Sequence, residues 1–571
     1  MTTRPQALRI PGLGPIIGHT TATSCRLWIQ AAGPDGGPGG ESADRRSVGV
    51  IGLLSRTGRR VEKAYYFRLP REFDRSGTFV LGADVALGQH ASDGVPVAEQ
   101  DQPVRLEPDT RYTARMATLT VDDPAADAES LTDVELAKRL PPIRNIAPML
   151  LDLPAAECEV TFRTFPAPAT QADRLAFLLG SCRYPGLLWK VKDADRIFGP
   201  MREHLLSGDD AARFTLMVGD QIYGDTLNRF VPIGRADTYE EFQERYRTAY
   251  ASPNMRALLR TAPTYMILDD HEIEDNWTQD RIEKAGTHRL FNLAIGAYMT
   301  YQWSHGPRSF GRLLYYQFDC AGYPFFVLDT RTQRFKNDIE DSLADNHLLG
   351  RPKIDPAHRG QLDDLLTWLT NMQETRGNTP KFVATSSVFA PNAMNERIDR
   401  ALASPEQTLL LGNLKRRLDS DSWPAFPNTR RAIVEHIVGK GIHNVVFLSG
   451  DIHCSNIAAL QFAPNPAGLR AYDITSSAFY WPFPFADGDP NGYVHDSTLP
   501  EQQDLFPYDG GELRYRAWAF TQEDNFCRVE IDRLTHSLTV RYFDRKGSPI
   551  WVSDPQGVFN DAQTLDLTPW V

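Results

Sequence analysis

The sequence predicts an α/β protein preceded by an all-β segment, and three observations carry that expectation. Residues 1 to about 166 are filled by short runs rich in β-branched and aromatic residues, parted by turn-forming pieces. From residue 170 onward, apolar strand-like runs alternate with helical patterns, the order that builds layered α/β cores. Finally, five short strings of oxygen, nitrogen or sulfur donors recur, at least four of them directly after an apolar run: Gly180-Ser-Cys182, Gly219-Asp-Gln-Ile-Tyr223, Asp269-Asp-His-Glu272, Leu328-Asp-Thr-Arg331 and Gly450-Asp-Ile-His453. That pattern sets metal-binding side chains along one rim of a sheet. With 571 residues the chain can bury two substantial cores.

In the first segment, residues 1–166, strands are expected at Ser24–Gln30, Ser47–Leu54, Ala64–Leu69, Thr78–Leu81, Arg111–Val121 and Val160–Phe165. The Gly/Pro-rich stretch Gly33–Glu41 reads as a loop. Leu106-Glu-Pro-Asp-Thr-Arg-Tyr112 resembles the tyrosine-corner entry to a late strand of a fibronectin III-like (immunoglobulin-like) β-sandwich, in which the Tyr hydroxyl bonds nearby backbone. Residues 122–145 read as an insertion, with a short helix opened by the capping box Thr132-Asp-Val-Glu135. Phe165-Pro-Ala-Pro-Ala169 suits a linker.

The second domain is expected over residues 170–571. Its strands are predicted at Leu175–Leu179, Phe214–Val218, Thr264–Leu268, Phe325–Leu328, Phe382–Thr385 and Val445–Leu448. Helical patterns fall at Thr238–Arg260, Leu290–Trp303, Arg359–Met372 and Arg430–Val438. The tail from Arg514 to Val552 returns to long alternating strands, so the sheets gain antiparallel members.

A formal net charge of −12 argues against an extended nucleic-acid or membrane surface, though not against a small anion drawn in by bound cations. No stretch approaches the ~20 apolar residues of a membrane span, and Met1-Thr-Thr-Arg-Pro-Gln-Ala-Leu-Arg9 has no apolar run behind it. The expected compartment is therefore the cytoplasm, or the periplasm or exterior where a leader has been removed. Six scattered cysteines do not form a disulfide framework.

The donor strings carry the chemistry. Asp220, at a strand end, can bridge two cations with one carboxylate, and Tyr223 lies close enough to bind one of them as phenolate. A phenol with a pKa near ~10 ionises at neutral pH only beside a strong Lewis acid, and a trivalent iron is the natural candidate. Asp451 and His453 are two apart, so in an extended segment both point the same way. The acids of Asp269-Asp-His-Glu272 repel one another unless solvated or bound to cations. Asp270 is the preferred ligand there, and His271 suits a phosphate oxygen or the leaving-group proton. Asn276 could give a neutral oxygen to a second metal, with Asp275 as its rival. Cys182 could complete an iron or zinc shell as thiolate, or be a small buried hydrophobe. Arg331 either clamps a phosphate or braces the site carboxylates.

Taken together, these strings resemble the alkaline phosphatase D (PhoD-like) family of metallophosphatases, which share metal chemistry with purple acid phosphatases. Gly219-Asp-Gln-Ile-Tyr223 matches the Gly-Asp-x-x-Tyr string of the purple enzymes. Asp269-Asp-His-Glu272 corresponds to their Gly-Asn-His-Asp/Glu, with Asp270 in the ligand position. Gly450-Asp-Ile-His453 corresponds to their Gly-His-x-His, with Asp451 replacing the first histidine. That replacement and Gly180-Ser-Cys182 point to the PhoD-like branch. The resemblance implies a metallophosphatase-type two-sheet core flanked by helices, with Cys182, Asp220, Tyr223 and His453 around Fe3+ and with Asp220, Asn276 and Asp451 around Ca2+, whose hard oxygen shell they suit. Zn2+ or Mn2+ are the alternative ions. Members are typically exported, often with a twin-arginine signal, and none is visible here.

The activity implied is hydrolysis of phosphate mono- and diesters, with diesters favoured because the family often accepts them, by a water that two cations make acidic. His271 and Arg331 would stabilise the phosphoryl group or assist departure. A phosphodiesterase dedicated to nucleotides or phospholipid headgroups is the rival enzyme. A non-catalytic binding protein with a vestigial metal site would have lost ligands, and every ligand type is present.

Overall fold

The computed structural model describes residues 8–33, 46–82, 104–121, 130–168, 171–186, 192–225, 234–283, 285–309, 313–336, 345–353, 359–391, 422–483, 493–499 and 506–570. Beyond Gly33, the loop expected at Gly33–Glu41 lies outside them.

The N-terminal strands form two antiparallel sheets. One runs Leu8–Arg9, Arg111–Thr120, Ser47–Leu54, Val61–Arg68, with Glu159–Arg163 also paired to Arg111–Thr120. The other runs Leu13–Thr20, Ser24–Gln30, Ser76–Gly82. Leu27, Ile29 and Phe79 of the second sheet meet Ile51, Phe67 and Met116 of the first in one buried cluster. At the expected corner, the Glu107 N–H donates to the Tyr112 hydroxyl at 2.8 Å. The Thr132–Glu135 capping box opens the helix Asp133–Arg139. Its Leu136, with Leu140, Ile146 and Leu150, covers Val48, Val50, Ala117 and Leu119 on the outer face of the first sheet. The insertion thus shields apolar surface, a role the sequence did not disclose.

Beyond residue 170 two sheets pack face to face. The six-stranded sheet has the order Thr264–Met266, Thr215–Met217, Arg174–Gly180, Asn525–Asp532, Ser537–Asp544, Gln563–Asp566; the first three are parallel and the rest antiparallel. The eight-stranded sheet places Tyr323–Val327, Lys381–Ala384, Val445–Ser449 and Ala471–Thr475 side by side in parallel. Antiparallel strands Tyr316–Cys320 on one side and Ser455–Ala463, Gly511–Thr521 and Phe506–Tyr508 on the other complete it.

Strand periodicity fixes the layers. Phe177 and Leu179 face the second sheet, where Phe177 meets Phe325 and Phe382 edge-on at 5.5 Å. Leu178, between them, faces out to Phe198, Met255 and Tyr298 of the overlying helices. Burial on both faces is why these strands read as unbroken apolar runs. On the far side, Leu365, Leu369, Ile433 and Ile437 of the helices Gln361–Arg376 and Pro427–Lys440 cover Phe326, Val383, Val445 and Phe447. The order of layers is helix, sheet, sheet, helix.

One helix departs from expectation. The pattern Thr238–Arg260 is two helices, Tyr239–Ala251 and Pro253–Leu259, because Pro253 cannot continue the first and is suited to open the second. No helix among the described residues is long and apolar enough to cross a membrane.

All five donor strings follow strands, and the strands approach closely where the strings begin. A Cβ on Gly450 would stand 2.5 Å from Ser181 Oγ and 2.9 Å from the Val218 carbonyl oxygen. Gly450→Ala should therefore destabilise the protein by about 1–3 kcal/mol through overpacking, read as a lower urea midpoint; an unchanged midpoint would show that the strand ends are not held this tightly.

Candidate metal centre

The five strings bring their side chains to one end of the double sheet. Cys182, Asp220, Asp270 and His271 follow strands of the six-stranded sheet, while Arg331, Asp451 and His453 follow strands of the eight-stranded one. The C-terminal rim of parallel strands is where open α/β sheets present ligand sites, since the backbone there is free to turn.

The backbone turns hard. Cys182 (φ 58°), Asp220 (φ 55°), Asn276 (φ 53°), Asp451 (φ 76°) and His453 (φ 53°) all adopt the left-handed region. For non-glycine residues this costs about 1–2 kcal/mol each, and such strain gathers at functional sites. Gly219, with φ 109°, lets its strand end pass Asp269, whose Cβ would lie 2.4 Å from an added Cβ.

Three groups of ligand atoms each lie within 4.8 Å of one another: Cys182, Asp220 and His453; Asp220, Asp270 and His271; and Asp220, Asp269, Asp270 and Asp451. Asp220 belongs to all three. The Tyr223 hydroxyl lies 3.4 Å from Asp220 Oδ2 and 3.5 Å from His453 Nε2, so it borders the sulfur-bearing group. Asn276 stands exposed at the edge. Its backbone N–H donates to Asp270 Oδ2 at 2.6 Å, and its side-chain amide donates to Asp275 Oδ1 at 3.2 Å.

Arg331 is fully buried and pairs with three carboxylates from two other strand ends. It bonds Asp269 through Nε, and its Nη2 lies 3.4 Å from Asp270 Oδ1 and 3.4 Å from Asp451 Oδ1. Asp329 aims it: the Arg331 and Thr332 amides donate to Asp329 Oδ1 at 3.1 and 2.9 Å.

Two acids that sequence reasoning did not single out organise the rest. Glu272 accepts the backbone N–H of Asp220 (3.1 Å), Gln221 (2.7 Å) and Asp269 (3.0 Å), and the Gln302 amide (3.0 Å). One carboxylate thereby ties two neighbouring strand ends. Asp225 accepts the Asp275 N–H at 2.7 Å and holds His271 Nδ1 at 2.8 Å. Glu272 was visible only as one acid among several, and Asp225 had no apolar run before it to mark it.

Electrostatics set the protonation. Burial, reinforced by Asp220 and Asp451, pushes the Cys182 thiol far up. Burial also raises Asp220, with His271 opposing and the other acids adding, and raises Tyr223, with Asp220 and Cys182 adding. Burial raises Glu272 to about 7 against the pull of its amide bonds. His271 is resisted by burial but driven well up by Asp225, Asp270 and Asp220. Asp270 is held low, since Arg331 and His271 outweigh its burial.

This donor set fits cations. A buried thiol, a buried phenol and carboxylates of which only Asp451 is half-buried are costly to ionise unless positive charge is added beside them, and the half-buried His453 adds a nitrogen donor. The Cys182–Asp220–His453 group, with its sulfur and nitrogen, suits a transition ion, and the all-carboxylate group suits a hard ion.

A two-sheet α/β sandwich carrying such donors at its strand ends has metallophosphatase-type architecture. The chain belongs to the PhoD-like phosphatase family, which matches residues 192–483. That span holds every proposed site residue except Cys182. Alkaline phosphatase D of Bacillus subtilis (strain 168) is 24% identical over 316 residues, covering 51% of this chain and 48% of the relative. The match thus spans about half the length of that curated relative. A solved structure of PhoD superposes with a TM-score of 0.61 at 17% identity, covering 98% of this chain and 93% of that one, and shares the fold. The purple acid phosphatase PPD1 from yellow lupin (Lupinus luteus) seeds gives a TM-score of 0.49 at 9% identity, covering 98% and 75%.

The raised Cys182 and Asp220 make metal uptake proton-linked. Burial keeps the Cys182 thiol protonated and shifts Asp220 toward its protonated form, and a cation must displace such protons. Affinity should therefore rise with pH, with protons released on binding. Calorimetric titration in buffers of different ionisation enthalpy measures both, and a pH-independent affinity without proton release would refute the assignment.

Proposed function

We propose that the protein hydrolyses phosphate esters at a centre of at least two cations sharing Asp220. The observation that carries this reading is the membership of Asp220 in all three donor groups, one with sulfur and nitrogen and two richer in carboxylates. Cys182, Asp220, Tyr223 and His453 would hold Fe3+. Asp220, Asn276 and Asp451 would hold Ca2+, with Asp270 beside them. When bound, the ions supply positive charge for the phosphoryl oxygens and acidify the water that attacks phosphorus. Asp225 fixes His271 at Nδ1, which leaves Nε2 to donate to a phosphoryl or leaving-group oxygen, and the Asp225 carboxylate draws the ring toward the protonated form that task needs. Arg331 keeps Asp269, Asp270 and Asp451 in register, and its three carboxylate contacts support bracing over direct phosphate clamping. Both monoesters and diesters are substrates in this reading, with diesters preferred. Residues 1–166 form a fibronectin III-like domain ahead of a catalytic domain at 170–571, and the Glu107–Tyr112 hydrogen bond supports the fibronectin III-like reading of the first.

Asp220→Asn should abolish turnover of a chromogenic phosphodiester while the thermal unfolding remains cooperative. His271→Ala should lower kcat by about 10²–10⁴-fold, the span of a lost general acid. Retained turnover in the Asp220 variant would remove the shared-ligand role. For the ion, Tyr223→Phe should weaken a visible absorption band in iron-loaded protein; an unaltered band takes Tyr223 out of the shell.

A further inference from the structure

His453 is held by a device that the donor groups do not contain. The Trp481 indole lies over its imidazole, ring centres 3.7 Å apart and planes within 14°. His453 itself sits in the left-handed region at φ 53°, its N–H donating to Ser477 Oγ at 3.1 Å. Trp481 is anchored in turn. Its backbone N–H donates to Asp524 Oδ1 at 2.9 Å, and Asp524 pairs with Arg545 at 3.2 Å. Tyr184 and Phe483 meet the indole edge-on at 5.6 and 4.9 Å, and Tyr184 also meets Tyr223 at 5.2 Å. The indole is therefore boxed, and its free choice of plane is gone.

We propose that Trp481 is a positioning residue of the metal centre, whose indole face holds the His453 imidazole in its ligating plane and favours the metal-bound ring over the free one. The reason is electronic as well as steric. Ligation draws electron density out of imidazole, and an electron-poor ring is attracted more strongly to the electron-rich face of indole. Stacking and metal binding are then coupled, each strengthening the other by the same factor. Outer groups that orient a ligating histidine commonly matter to metal affinity by about 10–100-fold. The left-handed backbone at His453 sets where the side chain starts and not the plane of its ring. The inference rests on the proposed metal centre.

The experiment uses the full chain, stripped with chelator and reloaded with Co2+, an ion that accepts mixed sulfur, nitrogen and oxygen donors. The His453-dependent ion is defined as the occupancy missing from His453→Ala. Its release into excess chelator should be about 10–100-fold faster in Trp481→Leu, with Trp481→Phe, which keeps an aromatic face, in between. In a His453→Ala background, Trp481→Leu should change the release of the remaining ion less than twofold. Co2+ loading should also quench a component of tryptophan fluorescence that Trp481→Phe lacks. Release from Trp481→Phe and Trp481→Leu within twofold of wild type overturns the inference and leaves the metal centre standing. Equal acceleration with and without His453 overturns it as a general loosening. Failure of the wild type to retain any His453-dependent Co2+ overturns the metal centre and the inference together.

Discussion

Like charge forced out of water is the constraint on which this architecture depends. Asp220, Asp269, Asp270 and Glu272 are buried, with Asp451 beside them, and Arg331 and His271 bring positive charge against them. Two unit charges about 4 Å apart repel by about 4 kcal/mol at the effective dielectric of a protein. Several such pairs exceed what one guanidinium and one imidazolium can offset. The remainder is met by protonation or by cations, and the raised Cys182 and Asp220 show which way the balance tips without them.

Holding such groups together requires a scaffold that does not yield. The sandwich provides it through a core of interlocked aromatic rings and aliphatic chains between the sheets. Two site-level ties do the finer work. Glu272 gathers the amides of Asp220, Gln221 and Asp269, so that the ends of adjacent strands share one acceptor. Arg331 reaches from the opposite sheet to Asp269 and Asp270. The left-handed conformations of Asp220 and Asp451 are held in part by these bonds, to the Asp220 amide and to the Asp451 carboxylate.

Much of this was legible in the sequence, for definite reasons. Ser24–Gln30 and Ser47–Leu54 fold with the bounds read from their β-branched and aromatic content, and every donor string does follow a strand. Strand ends are easy to find where an unbroken apolar run meets a glycine and an acid. The break at Pro253 was available in principle but was overrun by the helical periodicity on either side. Asp225, Glu272 and Trp481 belong to another category. Their roles arise from contacts over 46 residues for Asp225 with His271, 51 and 52 for Glu272 with Gln221 and Asp220, and from a ring stack between Trp481 and His453, and no local pattern encodes such contacts.

The donor groups are divided between the two sheets, and that division has a mechanical meaning. The Cys182–Asp220–His453 group takes two members from the six-stranded sheet and one from the eight-stranded sheet, and the carboxylate group joins Asp451 to Asp220, Asp269 and Asp270 across the same seam. A cation in either group would stitch the sheets at the rim, in addition to the apolar packing below. The spacing of the sheets therefore sets the spacing of the ligands. A change of volume deep between Phe177, Phe325 and Phe382 would be transmitted to the rim as a change in ligand geometry, because interiors packed at crystal density pass strain along rather than absorb it. Core packing and site chemistry are thus one problem in this fold.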